Sequence, residues 1–178
     1  MQQRDAPFAA NRISVVGSSG SGKTWLARRL AGKLGLPLHE LDVERDACLA
    51  AHGSLAERAA ALAAAPGWVI DGHYREARSA VWARAETVVL LDYPAALVAW
   101  RLAGRFLGKR RPNDPENPVS PRRASWRRRL SRLWRTFAER GEYERVLSQP
   151  RYAHLEVVRL TGPEETRRWL ERVEARLA

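Results

Sequence analysis

The stretch "RISVVGSSGSGKTWLARRL", from Arg12 to Leu30, decides the fold of this chain. It opens with a β-branched run, Arg12 to Gly17, which is typical of a short buried strand. A loop of glycine and serine follows. Apolar residues at helical spacing then predict a helix from Lys23 to Leu34, with Gly35 as its stop signal. A strand, a glycine-rich loop and a helix in this order predict the first β–α unit of a parallel sheet.

The loop "GSSGSGKT" has the spacing of a phosphate-binding loop: one glycine, four residues, then Gly-Lys-Thr. Small residues let backbone N–H groups turn towards phosphate oxygens, and the helix that begins near Lys23 points its positive end at the same anion. Lysine reaches the β- and γ-phosphates, and the Thr24 hydroxyl is a magnesium ligand. The predicted nucleotide-binding residues are Gly17, Ser18, Ser19, Gly20, Ser21, Gly22, Lys23 and Thr24.

ATP and Mg²⁺ are therefore the expected cofactors. The chain lacks the Asn-Lys-x-Asp motif that reads guanine in GTPases, which favours ATP over GTP. The loop identifies the nucleotide but leaves the reaction open, because phosphate-binding loops serve kinases, ATPases and switches alike.

The net charge of +11 is concentrated in one part of the chain. Between Arg101 and Arg135 there are 12 lysines and arginines against two acidic residues, Asp114 and Glu116. A local excess of this kind indicates an anionic ligand near that segment rather than a protein that is basic throughout.

Length and composition predict a single domain over residues 1–178, with a lid-like segment at about 101–135. Cys48 is the only cysteine, which excludes an internal disulfide and a cysteine-rich metal site. No run of about 20 apolar residues is present, and residues 1–12 lack the apolar core of a signal peptide. We therefore expect a soluble, cytoplasmic protein that does not engage a membrane.

Further strands alternate with helices along the chain. Strands are predicted at residues 36–42, 68–72, 87–92 and 154–160; helices are predicted at 55–64, from 94 towards 107, from 122 onward and at 163–177. Four prolines make 108–121 a loop. The alternation predicts a three-layer α/β fold around a five-stranded parallel sheet, with an arginine-rich helical lid insertion. Asp42 and Asp71 each follow a strand, so both are expected at the functional edge of the sheet.

The order of these motifs resembles the adenylate and shikimate kinase-like group of phosphate-loop kinases, and within it the topology modulation proteins. The resemblance runs from Arg12 to about Leu170. It rests on the spacing from the loop lysine to Asp42, on "GWVIDGHYR", which places Asp71 and Arg75, and on "WRLAGR", which places Arg101 and Arg105.

The resemblance implies an ATP-dependent phosphotransferase that acts on a small metabolite or nucleotide with the help of magnesium. Asp71 would lie beside Thr24 and hold the metal through water, and Asp42 would orient or deprotonate the acceptor hydroxyl. The implied catalytic residues are Lys23, Asp42, Arg101 and Arg105. The implied substrate-binding residues are Asp42, Arg45, Asp71 and Arg75, and the implied metal residues are Thr24 and Asp71.

The sequence departs from the adenylate kinase pattern in the acceptor region. Tyr74 replaces the proline of the Asp-Gly-Phe-Pro-Arg segment, and Asp42 and Arg45 lack the Thr-Gly that precedes them in the AMP-site motif. These departures argue against AMP and leave a small anionic or hydroxylated acceptor as the expected partner.

Alternatives remain open from the residues alone. Asp71 could cap a turn, Asp42 could cap a helix, and the arginines Arg101 and Arg105 could lie on a solvated face. In function, the basic helix at 122–135 could serve a nucleic-acid-associated ATPase, or the chain could be a nucleotide-binding regulatory subunit. The sequence does not decide between a monomer and a dimer.

Overall fold

The computed structural model describes residues 11–106 and 141–176. Its strands are β1 (Arg12–Gly17), β2 (Leu38–Glu40), β3 (Trp68–Asp71), β4 (Thr87–Leu91) and β5 (Glu156–Leu160). They form one parallel sheet in the order β2-β3-β1-β4-β5. The predicted five-stranded parallel sheet is confirmed, and β1 occupies its centre.

Helices connect the strands. They are α1 (Lys23–Leu34), α2 (Leu41–Ala50), α3 (Leu55–Ala63), α4 (Arg75–Trp82), α5 (Ala95–Phe106), the helical residues 141–147 (α6) and α7 (Pro163–Ala175). A short 3₁₀ helix, Pro150–Tyr152, precedes β5. Among the described residues, no helix has both the length and the apolar character needed to cross a membrane.

The sheet is packed on both faces, because successive strand residues point to opposite sides. Val16 and Ile70 belong to one apolar cluster, which includes side chains of α3, α4 and α6. Val15 and Val69 belong to the other cluster, which includes side chains of α1 and α7. Two cores around one sheet make the three-layer α/β architecture that the sequence predicted.

Local signals in the sequence placed several helix ends correctly. Gly35 ends α1 in the left-handed conformation, with φ of 66°, and its N–H donates to the Ala31 carbonyl. Ser54 precedes α3, where its hydroxyl accepts a hydrogen bond from the Glu57 N–H at 3.4 Å. Both are ordinary capping arrangements.

The strand predicted at residues 36–42 is wrong at its end. β2 stops at Glu40, and the chain enters α2 at Leu41, so Asp42 lies in the first turn of a helix. The sequence did not predict α2, a helix in which Leu41 is the only buried residue. The helix α4 was also not predicted.

The lid-like segment falls largely outside the described residues. Leucine 107, the loop 108–121 and the basic helix predicted from Arg122 to Arg135 all lie there. The backbone of Arg105 lies in α5, but its side chain is not among those described.

Candidate active site

The candidate site lies where β1, β3 and β4 end, at the carboxyl edge of the sheet. β1 pairs with β3 so that Val15 lies opposite Asp71, and it pairs with β4 so that Gly17 lies opposite Leu91. This register brings the end of β3 beside the loop that leaves β1. Ligands of open parallel sheets bind at this edge.

Close backbone packing requires glycine at the start of the loop. Gly17 has φ of 146°, and a Cβ there would lie 2.6 Å from the Leu91 carbonyl oxygen. The Ser21 N–H donates to the Ser18 carbonyl at 3.2 Å, which closes a turn before α1 begins. Lys23 Nζ donates to the same Ser18 carbonyl at 3.1 Å, so the lysine lies across its own loop.

Thr24 and Asp71 meet at the foot of the loop. The Thr24 hydroxyl donates to Asp71 Oδ2 at 2.6 Å. Asp71 is 6% exposed, and among the described residues its Oδ1 has no hydrogen-bond partner. Burial raises the pKa of the Asp71 carboxyl above its ordinary value, while the Lys23 charge and the Thr24 hydrogen bond act in the opposite direction.

These residues fit a magnesium ion that is shared with phosphate oxygens. A hydroxyl and a carboxylate with a buried, unsatisfied oxygen are hard oxygen donors, and magnesium in phosphate sites uses only one or two protein groups. The buried Ser21 hydroxyl also has no hydrogen-bond partner among the described residues. The loop therefore presents polar groups suited to a phosphate and its metal.

Asp42 lies exposed in the first turn of α2, on the β2 side of the site. The Tyr74 hydroxyl donates a hydrogen bond to Asp42 Oδ1. The Arg45 guanidinium lies 5.3 Å from the centre of the Tyr74 ring, within cation–π range. The neighbouring Glu40 instead accepts a hydrogen bond from Arg28 at 2.8 Å.

Burial and, after it, the hydrogen bond to Asp42 together raise the pKa of the Tyr74 phenol to about 12. The phenol therefore stays protonated and can serve as a donor to the carboxylate throughout the physiological range. Neither the Tyr74 contact nor the stacking of Arg45 was identified from the sequence. The unusual tyrosine in place of proline was the available signal.

Gly72 joins the Asp42 side of the site to β3. Its φ is 117°, and its N–H donates to the Val15 carbonyl at 3.2 Å. A Cβ at this position would lie 3.1 Å from the Leu41 side chain. The first turn of α2 therefore packs directly on the chain that follows Asp71.

Arg101 of α5 lies against the phosphate-binding loop. Its Nη1 donates to the Ser21 carbonyl at 3.0 Å, and its guanidinium lies 5.2 Å from the centre of the Tyr93 ring. The Tyr93 hydroxyl shares a 2.6 Å hydrogen bond with the Thr166 hydroxyl of α7. Arg101 is thus held against the loop, and its catalytic role stays a prediction.

Arg75 takes part in a separate cluster at the start of α4. It forms an ion pair with Glu142 of α6 at 2.7 Å, and Arg78 pairs with the same carboxylate at 2.9 Å. His73 Nε2 contacts Arg78 Nη1 at 3.2 Å. Arg78 and Glu142 were not singled out from the sequence.

Solved structures with a similar fold include several kinases. The chain shares 18% identity and a TM-score of 0.54 with a shikimate kinase from Acinetobacter baumannii in complex with shikimate, over 93% of this chain and 91% of that one. A shikimate kinase from Bacteroides thetaiotaomicron gives 15% identity and a TM-score of 0.53 over 94% and 98% of the two chains. A gluconokinase from Sinorhizobium meliloti 1021 gives 17% and 0.51 over 94% and 91%.

No protein-family model matches the chain, and no curated protein is significantly similar to it. At these identities the solved structures show the fold alone. The chain shares the three-layer α/β fold of these solved kinases. The narrower resemblance to topology modulation proteins stays a prediction.

Proposed function

We propose that this protein is an ATP-dependent phosphotransferase whose acceptor is a small hydroxylated metabolite with a carboxylate or phosphate group. The contact between Thr24 and Asp71 beside the phosphate-binding loop carries this proposal. The contact places a threonine hydroxyl, a typical magnesium ligand, next to a buried carboxylate. One oxygen of that carboxylate has no hydrogen-bond partner among the described residues.

On the nucleotide side, the loop would bind the phosphates of ATP through its backbone N–H groups and through Lys23. Lys23 would exchange its present partner, the Ser18 carbonyl, for phosphate oxygens. Thr24 and Asp71 would hold magnesium, which neutralises charge on the transferring group when bound. Arg101 would add a fixed positive charge at the same loop.

On the acceptor side, Asp42 is exposed and can be reached by a substrate hydroxyl. Its carboxylate would accept the hydroxyl proton as transfer proceeds. The Tyr74 hydrogen bond fixes one carboxylate oxygen, which orients the side chain for that role. Phosphoryl transfer depends on positioning and charge more than on a strong base, so an oriented aspartate is sufficient.

We infer the acceptor class from two arginines: Arg45 lies three residues after Asp42 on α2, and Arg75 directly follows Tyr74. Arg45 and Arg75 are both exposed, and guanidinium groups bind carboxylates and phosphates well. Two of the similar structures are named shikimate kinase and gluconokinase, which supports a hydroxylated carboxylate as the first class to test.

The proposal is tested by measuring ADP formation from ATP and Mg²⁺ with a panel of hydroxylated carboxylates, sugars and nucleoside monophosphates. Acceptor-dependent ADP formation is expected for wild type and should be lost in Lys23→Ala. ATP binding without any acceptor-dependent turnover across the panel would contradict the proposal and favour a nucleotide-binding regulatory subunit. The nucleic-acid reading rests on the segment from Arg122 to Arg135, which lies outside the described residues.

A further inference from the structure

We propose that Arg75 and Arg78 form an oxyanion-binding site at the start of α4, and that the Glu142 carboxylate is its internal ligand. A carboxylate or phosphate group would exchange with Glu142 at this site. The site itself stands on the geometry described below. Its assignment as the anchor for the acceptor's anionic group rests on the proposed function.

The two guanidinium groups converge on one carboxylate. Arg75 Nη2 lies 2.7 Å from Glu142 Oε2, and Arg78 Nη1 lies 2.9 Å from Glu142 Oε1. Each carboxylate oxygen therefore has its own arginine. Positions i and i+3 face the same side of a helix, which explains why both side chains reach one ligand. This is the way two arginines bind a free carboxylate or phosphate.

Arg78 is the fixed half of the site. Its side chain is 14% exposed, its guanidinium lies 5.7 Å from the centre of the Trp82 ring, and its Nη1 contacts His73 Nε2 at 3.2 Å. Arginine has no acceptor, so His73 must accept this hydrogen bond through an unprotonated nitrogen.

Tyr143 helps to hold this neutral ring in place. The centres of the Tyr143 and His73 rings lie 4.7 Å apart. The histidine thus orients Arg78 without supplying a negative charge, and the charge that balances the two arginines comes from Glu142. The hydrogen bond from Arg75 is the main cause of the lowered pKa of Glu142, so this carboxyl is ionised at neutral pH.

Arg75 is the exchangeable half. Its side chain is 77% exposed, whereas the Glu142 side chain is 17% exposed. Ion pairs that involve an exposed arginine are strongly screened by water and contribute little stability. An incoming anion can therefore approach from the solvent side, bind Arg75 first and then compete with Glu142 for Arg78.

The position of the site is suited to an acceptor. Arg75 follows Tyr74 directly, and Tyr74 holds Asp42. An acceptor with a hydroxyl at Asp42 would have its anionic group beside α4. Its binding would release the Glu142 carboxylate from the two arginines.

The test measures anion binding without nucleotide. Inorganic phosphate and, separately, malonate are titrated by calorimetry into wild type, Glu142→Gln and Glu144→Gln. Glu144 is the matched control, because it lies two residues away on α6 and pairs with Arg159 at 2.6 Å instead. The two variants remove the same charge, and Glu144 is the one that lines a cavity with Gly17 and Ser18, so an effect through the phosphate-binding loop should appear in Glu144→Gln at least as strongly.

Glu142→Gln should bind at least one of the two anions about tenfold more tightly than wild type, because its internal competitor is gone. Glu144→Gln should stay within about twofold of wild type, the range expected for loss of an exposed pair. Adding Arg75→Gln to Glu142→Gln should remove the gain. Equal gains in Glu142→Gln and Glu144→Gln, or no gain in the former, would overturn the inference.

A second variant tests the site even if Glu142→Gln does not fold. Arg75 is exposed, so Arg75→Gln alone should fold normally and should lower the affinity of wild type for the better anion; unchanged affinity would overturn the inference. These titrations are independent of catalysis. If Glu142→Gln binds the anion more tightly but wild type transfers no phosphate from ATP, only the proposed function is contradicted. If wild type transfers phosphate but Glu142→Gln shows no increase in anion affinity, only this site is contradicted.

Discussion

Thr24 Oγ1 donates a hydrogen bond of 2.6 Å to Asp71 Oδ2, although the two residues are 47 positions apart. The contact exists because β1 and β3 are parallel neighbours, with Val15 opposite Asp71. The loop that follows β1 and the aspartate at the end of β3 therefore lie side by side. This relationship joins the phosphate-binding loop to the proposed metal site.

Removing the Thr24 hydroxyl should weaken binding of magnesium and nucleotide together. Thr24→Ala should lower the affinity for a non-hydrolysable ATP analogue in the presence of Mg²⁺ by about tenfold or more, as expected for loss of an interaction with a charged group. Thr24→Ser keeps the hydroxyl and serves as the control. Calorimetry with and without Mg²⁺ checks this, and equal affinities for the alanine and serine variants would contradict it.

Asp71→Asn should stabilise the fold while impairing metal binding. Burial raises the pKa of Asp71 in the folded protein, so the folded state binds more protons than the unfolded state as pH rises past about 4. The stability linked to this group is present below the unfolded pKa and is lost as pH rises through the folded value. At neutral pH, the ionised Asp71 therefore costs stability that asparagine does not.

The measurement is thermal unfolding of both proteins without ligand. We expect Asp71→Asn to unfold about 2–4 °C higher than wild type at neutral pH, the shift that about 1 kcal/mol produces in a chain of this length. The difference should shrink towards about pH 4. Magnesium affinity in the presence of the ATP analogue should fall by about 10–100-fold. If Asp71→Asn is less stable than wild type at neutral pH, burial is not the main cause of the raised pKa of Asp71.

Tyr74 should act on turnover of the acceptor and not on the nucleotide. Tyr74→Phe removes the hydrogen bond to Asp42 but retains the ring beneath Arg45. With the best acceptor from the panel, kcat should fall about tenfold, the low end of the range for a disturbed acid–base group. Affinity for the ATP analogue should stay within about twofold. Tyr74→Leu, which also removes the stacking, should further raise KM for the acceptor; identical kinetics in all three proteins would contradict the role.

Gly72 should tolerate no side chain. Gly72→Ala introduces a Cβ at φ of 117° and only 3.1 Å from Leu41, so the free energy of unfolding should fall by about 1–3 kcal/mol. Gly32→Ala is the matched control. Within the described part of the chain, no atom outside the backbone of α1 itself lies within 4 Å of a Cβ at Gly32, and alanine there should stabilise by about 0.5–1 kcal/mol. Chemical denaturation of both variants gives the comparison, and equal effects would contradict it.

Much of the nucleotide side could be predicted from local sequence. The loop spacing is contiguous, so the residues from Gly17 to Thr24 were identified without long-range information. The position of Asp71 could also be predicted, because all strands of a parallel sheet end at the same edge of the sheet. Both predictions rest on short-range patterns that tertiary packing rarely overrides.

The acceptor side could not be predicted in the same way. Tyr74 and Asp42 are 32 positions apart, and Arg78 and Glu142 are 64 apart. Pairs of this kind depend on how α2, α4 and α6 pack, and α2 buries only Leu41. The spacing of Arg75 and Arg78 was visible in the sequence, but the carboxylate that joins them was not.

The central claim is that the γ-phosphate of ATP passes to a hydroxyl oriented by Asp42. The most direct measurement is ³¹P NMR of the reaction of wild type and Asp42→Asn with ATP, Mg²⁺ and the best acceptor. For wild type, we expect a new phosphate-ester resonance that grows in step with ADP; for Asp42→Asn, we expect that resonance to grow about 100-fold more slowly. Release of ADP with inorganic phosphate alone by wild type, or equal transfer by the two proteins, would contradict the account.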